Sequence, residues 1–110
     1  MANLGYYKKA IGIYNELISF HHDIQLYSQM GRCYEELKLF SYAEKYYRIA
    51  SCMEPVKLAP QMLLFELFKA SGQKNKAINQ ATAILNTPIK IRTAEAERIR
   101  NEMRVYLLNQ

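Results

Sequence analysis

Apolar residues recur along the chain at the three- and four-residue spacing of amphipathic helices, with short polar breaks between the runs. The stretch GYYKKAIGIYNELI opens on Gly5 and predicts a first helix over about 5 to 20. Asp23 is placed to cap a second, which runs to about 37. A third is predicted over about 40 to 53, and Pro60 fits the opening turn of a fourth that ends near Ser71, before Gly72. A fifth runs from about 74 to 86. After NTPIKIR, Thr93 is a good cap, and Glu95 and Glu97 suit the positive end of the dipole of a sixth. On that helix Ile99, Met103 and Tyr106 share one face, which should dock onto the preceding helices while Arg98, Glu102 and Arg104 stay in water.

The same frame occurs three times. GYYKKAIGIYNEL begins at Gly5, KLFSYAEKYYRIA at Lys38 and GQKNKAINQATAI at Gly72, so the starts are 33 and 34 residues apart. Each places alanine five positions on (Ala10, Ala43, Ala77), then Tyr14, Tyr47 and Ala81, then Leu17, Ala50 and Ile84. A period of this length marks stacked helix–turn–helix units, none of which buries its apolar face alone. The expected fold is therefore all-α, an antiparallel helix-pair solenoid of about six helices in a single domain, residues 1–110. Within it, 5–22 would be the second helix of a truncated repeat, 24–57 a full repeat, 58–90 a degenerate one and 93–109 a closing cap.

The central copy, IQLYSQMGRCYEELKLFSYAEKYYRIASCMEPVK, resembles a tetratricopeptide repeat (TPR). Tyr27 stands where that family has tryptophan, and Met30-Gly31 where it has Leu-Gly. Tyr34, Ala43, Tyr47, Ala50 and Pro55 fall on the remaining diagnostic positions. Gly31 and Ala43 would let the two helices approach closely, while the aromatics fill the gaps between them. Pro55 cannot continue a helix and would set the turn into the next repeat. Lys38 departs from the glycine preferred between the helices, which costs about 1 kcal/mol in a left-handed turn. In the third copy Phe65 replaces the contact glycine, Gln61 replaces the aromatic and Pro88 comes one position early, so its helices should splay or cross differently.

The resemblance implies a TPR-like solenoid whose first helices line a concave groove. Gln25, Ser28, Arg32, Glu35 and Glu36 would come from the central repeat, and Met62, Glu66 and Lys69 from the next. The function implied is a non-catalytic interaction module that takes a peptide or protein segment. The carboxylate-clamp subset of the family needs lysine and asparagine where this chain has Ser28 and Arg32, which argues against capture of an acidic peptide C-terminus. The second half is also similar to the soluble C-terminal tails of O-antigen ligase/polymerase-type membrane proteins, through Pro88, Lys90, Ile91, Glu97, Ile99, Glu102 and Met103. That likeness implies an accessory domain tethered to a bacterial inner membrane through an upstream region. The reaction, joining O-antigen polysaccharide to lipid A–core, would belong to that upstream part.

Composition narrows the rest. No apolar run approaches the roughly 20 residues of a membrane-spanning helix, and MANLGYYKK lacks the layout of a secretory signal. The net charge of +5 is uneven: residues 1 to 55 carry six basic and six acidic groups, the remainder nine basic against four acidic. Eight of the nine tyrosines precede residue 48. Base-stacking aromatics and phosphate-seeking cations thus lie in different halves, and the mixed signs of EAERIRNEMR suit a surface helix; both argue against nucleic acid.

Chemistry is sparse. Asp23 is the sole aspartate, and adjacent His21 and His22 in a turn cannot share a metal as an i, i+4 pair does. Cys33 and Cys52 fit neither a disulfide framework nor a metal motif and read as buried or half-buried thiols. No catalytic residue, metal or cofactor is expected. The first helix carries Gly5 as an inter-helix turn residue, and Ala10, Tyr14 and Leu17 in packing positions. With its own partner helix missing, the face of Tyr7, Ile11 and Tyr14 should be covered by self-association.

Overall fold

A computed structural model describes residues 4–89 and 92–110. It contains α1 (Leu4–Ile18), α2 (Ile24–Glu36), α3 (Phe40–Met53), α4 (Leu58–Ala70), α5 (Lys74–Leu85) and α6 (Ala94–Leu108), and no strand among the described residues. Every boundary falls within a residue or two of the sequence expectation. The chain divides into two compact units, one ending at Glu54 and the other running from Pro55 to Gln110.

In the first unit α2 and α3 form a helical hairpin, and α1 packs on α2. The Asp23 carboxylate accepts the Gln25 backbone N–H at 2.7 Å, satisfying one of the donors left open at the start of α2. Met30, Ala43, Tyr47 and Ala50 are fully buried between the hairpin helices. Gly31 is what lets them close: a Cβ built there would penetrate the ring of Tyr47. The phenol of Tyr47 donates to the Glu35 carboxylate at 2.9 Å, so the ring fills the space over Gly31 while its one polar atom stays bonded.

The second unit is a hairpin of α4 and α5 with α6 against α5. Leu64, Phe65, Leu67, Phe68, Ala77, Ala81, Ile84 and Met103 form its core. The sizes at the contact are exchanged relative to the first unit. Gly31 and Tyr47 are small on the first helix and large on the second; their equivalents 34 positions on, Phe65 and Ala81, are large then small, and all four are buried. Phe65 also meets Tyr106 of α6 edge to face at 4.9 Å, so the degenerate position recruits the closing helix. Gln61, in the place of Tyr27, is buried and its amide donates to the Pro55 carbonyl at 3.1 Å and to Thr87 Oγ1 at 3.0 Å. On α6, Ile99 and Met103 are buried, Arg98, Glu102 and Arg104 are exposed, and Thr93 Oγ1 caps by accepting from Ala96 N–H at 3.0 Å.

The two hairpin turns repeat atom for atom. Leu37, Lys38 and Leu39 donate their N–H groups to the carbonyls of Cys33, Glu35 and Tyr34 at 3.1, 2.9 and 2.9 Å. Ser71, Gly72 and Gln73 do the same to Leu67, Lys69 and Phe68 at 2.9, 3.2 and 2.8 Å. Lys38 has φ 63° and Gly72 φ 74°, the left-handed conformation that closes a helix end. Leu39 and Gln73 then share φ −92° and ψ 72°.

The first frame departs from this pattern. Gly5 lies inside α1, not in a turn. Ile11 is buried, and Tyr7 and Tyr14 beside it are half-buried. The face expected to lack cover is therefore the one α1 turns toward α2. Leu17, expected in a packing position, is 39 % exposed.

Candidate functional site

The residues expected to line a groove fall into two groups with different environments. On α2 of the first unit, Gln25, Arg32 and Glu36 share one exposed side, joined by Gln29, which the sequence reading passed over. No ion pair or side-chain hydrogen bond engages Arg32 or Glu36 among the described residues. Ser28 and Glu35 are spent on structure. The Ser28 hydroxyl donates to the Ile24 carbonyl at 2.9 Å, and Glu35 accepts from Tyr47. Burial, and next the neighbouring Glu35 carboxylate, hold the Tyr47 phenol far above its ordinary range, with Arg32 a smaller opposing influence. The Tyr47 hydroxyl is thereby favoured as the donor of its bond to Glu35.

In the second unit the expected residues satisfy one another. Lys69 pairs with Glu66 at 3.7 Å and lies over the rings of Phe65, at 4.8 Å, and Tyr106, at 5.9 Å. Met62 is half-buried. Lys69 thus bridges α4 to Tyr106 of α6, while the Lys69–Glu66 pair itself stays open to water.

Along the α2–α3 seam runs a row of stacked rings that the sequence reading did not assemble. The His22 and Tyr27 ring centroids are 6.5 Å apart, Tyr27 and Tyr46 6.3 Å, Tyr46 and Tyr34 5.4 Å, and Tyr34 and Tyr42 5.2 Å. All four pairs lie within 22° of parallel. The signal was present as spacing: Tyr27 and Tyr34 are seven apart on α2, and Tyr42 and Tyr46 four apart on α3, each pair on one helix face. His22, expected to be a plain turn residue, closes the row with Nδ1 3.1 Å from the Tyr27 hydroxyl. Burial raises the Tyr34 phenol, with further contributions from Tyr46 and Tyr42.

Two cavities open on the second unit. One, of about 510 Å³, lies between Val56–Ala59 at the start of α4 and the cap Thr93 with Glu95, Ala96 and Ile99 of α6. The other, of about 270 Å³, sets Arg92, Arg100 and Arg104 against the single carboxylate of Glu97. Arg104 donates to Asn101 Oδ1 at 2.7 Å. No group of three or more potential metal ligands occurs among the described residues. Cys33 is buried, its thiol pushed up by burial and then by Glu36, whereas Cys52 is exposed, outside the burial expected of it. Lys90 and Ile91, two positions of the O-antigen-ligase likeness, lie outside the described residues.

No protein-family model matches the chain, and neither a curated protein nor a solved structure matches it.

Proposed function

We infer that the protein is a non-catalytic interaction module, built on TPR-like helical hairpins, that holds a peptide or protein segment against an exposed helix face. The observation that carries this reading is the free ridge of α2. Gln25, Gln29, Arg32 and Glu36 present both signs of charge and amide donors and acceptors to water. The helix beneath them is fixed on its other sides by a capped start, a packed hairpin and a ring row. A rigid helix whose polar ridge is left unpaired offers affinity at little ordering cost. Arg32 supplies a forked donor for a partner carboxylate, and Glu36, one turn on, an acceptor for a partner amine or amide.

Selection of a random peptide library tests the reading. Peptides enriched on the parent protein should lose at least tenfold in affinity on an Arg32→Glu, Glu36→Arg variant of unchanged helicity and melting temperature. Failure to enrich any sequence, or enrichment indifferent to both substitutions, would overturn it. The O-antigen-ligase likeness gains nothing specific from the fold. Of its positions, Ile99 and Met103 are core residues of the second unit, and Glu102 is a surface side chain.

A further inference from the structure

The outer side of α1 carries a second apolar stripe. Tyr6 is 63 % exposed, Ile13 58 % and Leu17 39 %, and Phe20, just past the helix, is 81 % exposed. With Ala10 between them, these positions are spaced four, three, four and three residues apart, the spacing of a coiled-coil seam. The neighbouring stripe of Tyr7, Ile11, Tyr14 and Ile18 has the same spacing and faces α2. α1 therefore has the sequence of a helix with two helical neighbours and one of them in its own unit.

We propose that the outer seam is covered by the same seam of a second copy of this chain, the two α1 helices running antiparallel across a two-fold axis. Antiparallel seams set Tyr6 against Leu17 of the second copy and Ala10 against Ile13 of the second copy, then repeat the pairs in reverse. Each layer joins a larger to a smaller side chain, and Ala10 lets the helices approach at the centre.

The flanking charges select this arrangement. Lys9 and Glu16 border the seam on the same side, one heptad apart, and both are exposed. Neither side chain has a hydrogen bond or an ion pair with another described residue. In the antiparallel register Lys9 of each copy lies across from Glu16 of the other, giving two symmetric ion pairs. A parallel pairing would set Lys9 beside Tyr14 of the second copy and leave it without its carboxylate. The seam from Tyr6 to Leu17 is only about 17 Å long, so the dimer should be weak and reversible.

Sedimentation velocity from about 10 to about 500 µM tests this, the range over which a small interface fills. The parent should pass from monomer toward dimer. Lys9→Glu and Glu16→Lys, each of which faces like charges across both pairs, should associate at least fivefold more weakly. An equimolar mixture of the two variants restores both pairs as a heterodimer and should regain the parent's affinity within about threefold. Ile13→Arg should abolish association with helicity and melting temperature preserved. A parent that stays monomeric throughout, or a mixture no tighter than either variant alone, would overturn the proposal.

Discussion

At Gly31 and Tyr47 a single missing methyl sets how closely two helices approach. Gly31→Ala gains about 1 kcal/mol of helix propensity but overpacks a fixed ring at about 1 to 3 kcal/mol, so thermal unfolding should show a net loss of up to about 2 kcal/mol. Gly12→Ala is the opposite case: nothing lies within 4 Å of its added Cβ, and it should stabilise by about 0.5 to 1 kcal/mol. A second prediction concerns alkaline pH. The folded phenol of Tyr47 is raised above its unfolded value near 10, so its stabilisation is complete below pH about 10 and is lost as the pH rises further toward the folded value. Tyr47→Phe should flatten the alkaline fall of stability and cost about 1 kcal/mol at neutral pH through the lost bond to Glu35. The thiols give a third. A thiol reagent should label Cys52 in the native protein and reach Cys33 only on unfolding.

At the scale of elements, the hairpin turns are the most informative feature. Lys38 and Gly72 occupy the same left-handed position, one with a side chain and one without. Lys38→Gly should therefore stabilise and Gly72→Ala destabilise, each by about 1 kcal/mol in denaturant titrations. This much was legible in the sequence, because frames beginning at Lys38 and Gly72 already gave the two turns one register. The first frame misled. Gly5 matched Gly72 by spacing, yet it lies within α1, since spacing alone does not fix the backbone conformation a glycine adopts. The more exposed face of α1 was misplaced for a related reason. Tyr7, Ile11, Tyr14 and Tyr6, Ile13, Leu17 are both apolar stripes of helical spacing, and periodicity alone does not say which one meets α2.

The molecule as a whole joins a neutral, tyrosine-rich unit to a basic one. The net positive charge and most of the tyrosines thus fall in separate units: the six basic groups of the tyrosine-rich unit are matched by six acidic ones, which opposes the phosphate attraction single-strand binders rely on. Duplex DNA and single-stranded RNA should accordingly show no binding at about 50 mM salt, where phosphate contacts are strong; binding that falls steeply with added salt would contradict this.

Local pattern along the chain was enough for the six helices, the caps at Asp23 and Thr93, the repeated turn and most of the core. Those depend on residues close in the chain: an apolar stripe, a capping oxygen, a left-handed residue just past a helix end, at Lys38 and again at Gly72. What each side chain had left to offer depended on which helix was packed against it. Arg32 and Glu35 are three positions apart on α2, yet Arg32 is free and Glu35 is held by a tyrosine twelve residues away. Lys69 looked like a groove cation and is instead seated on two aromatic rings. The tyrosines were visible as composition but became a stacked row only when α3 was laid against α2. Spacing fixes which face a residue shares, and the neighbouring helix fixes whether that face is still available.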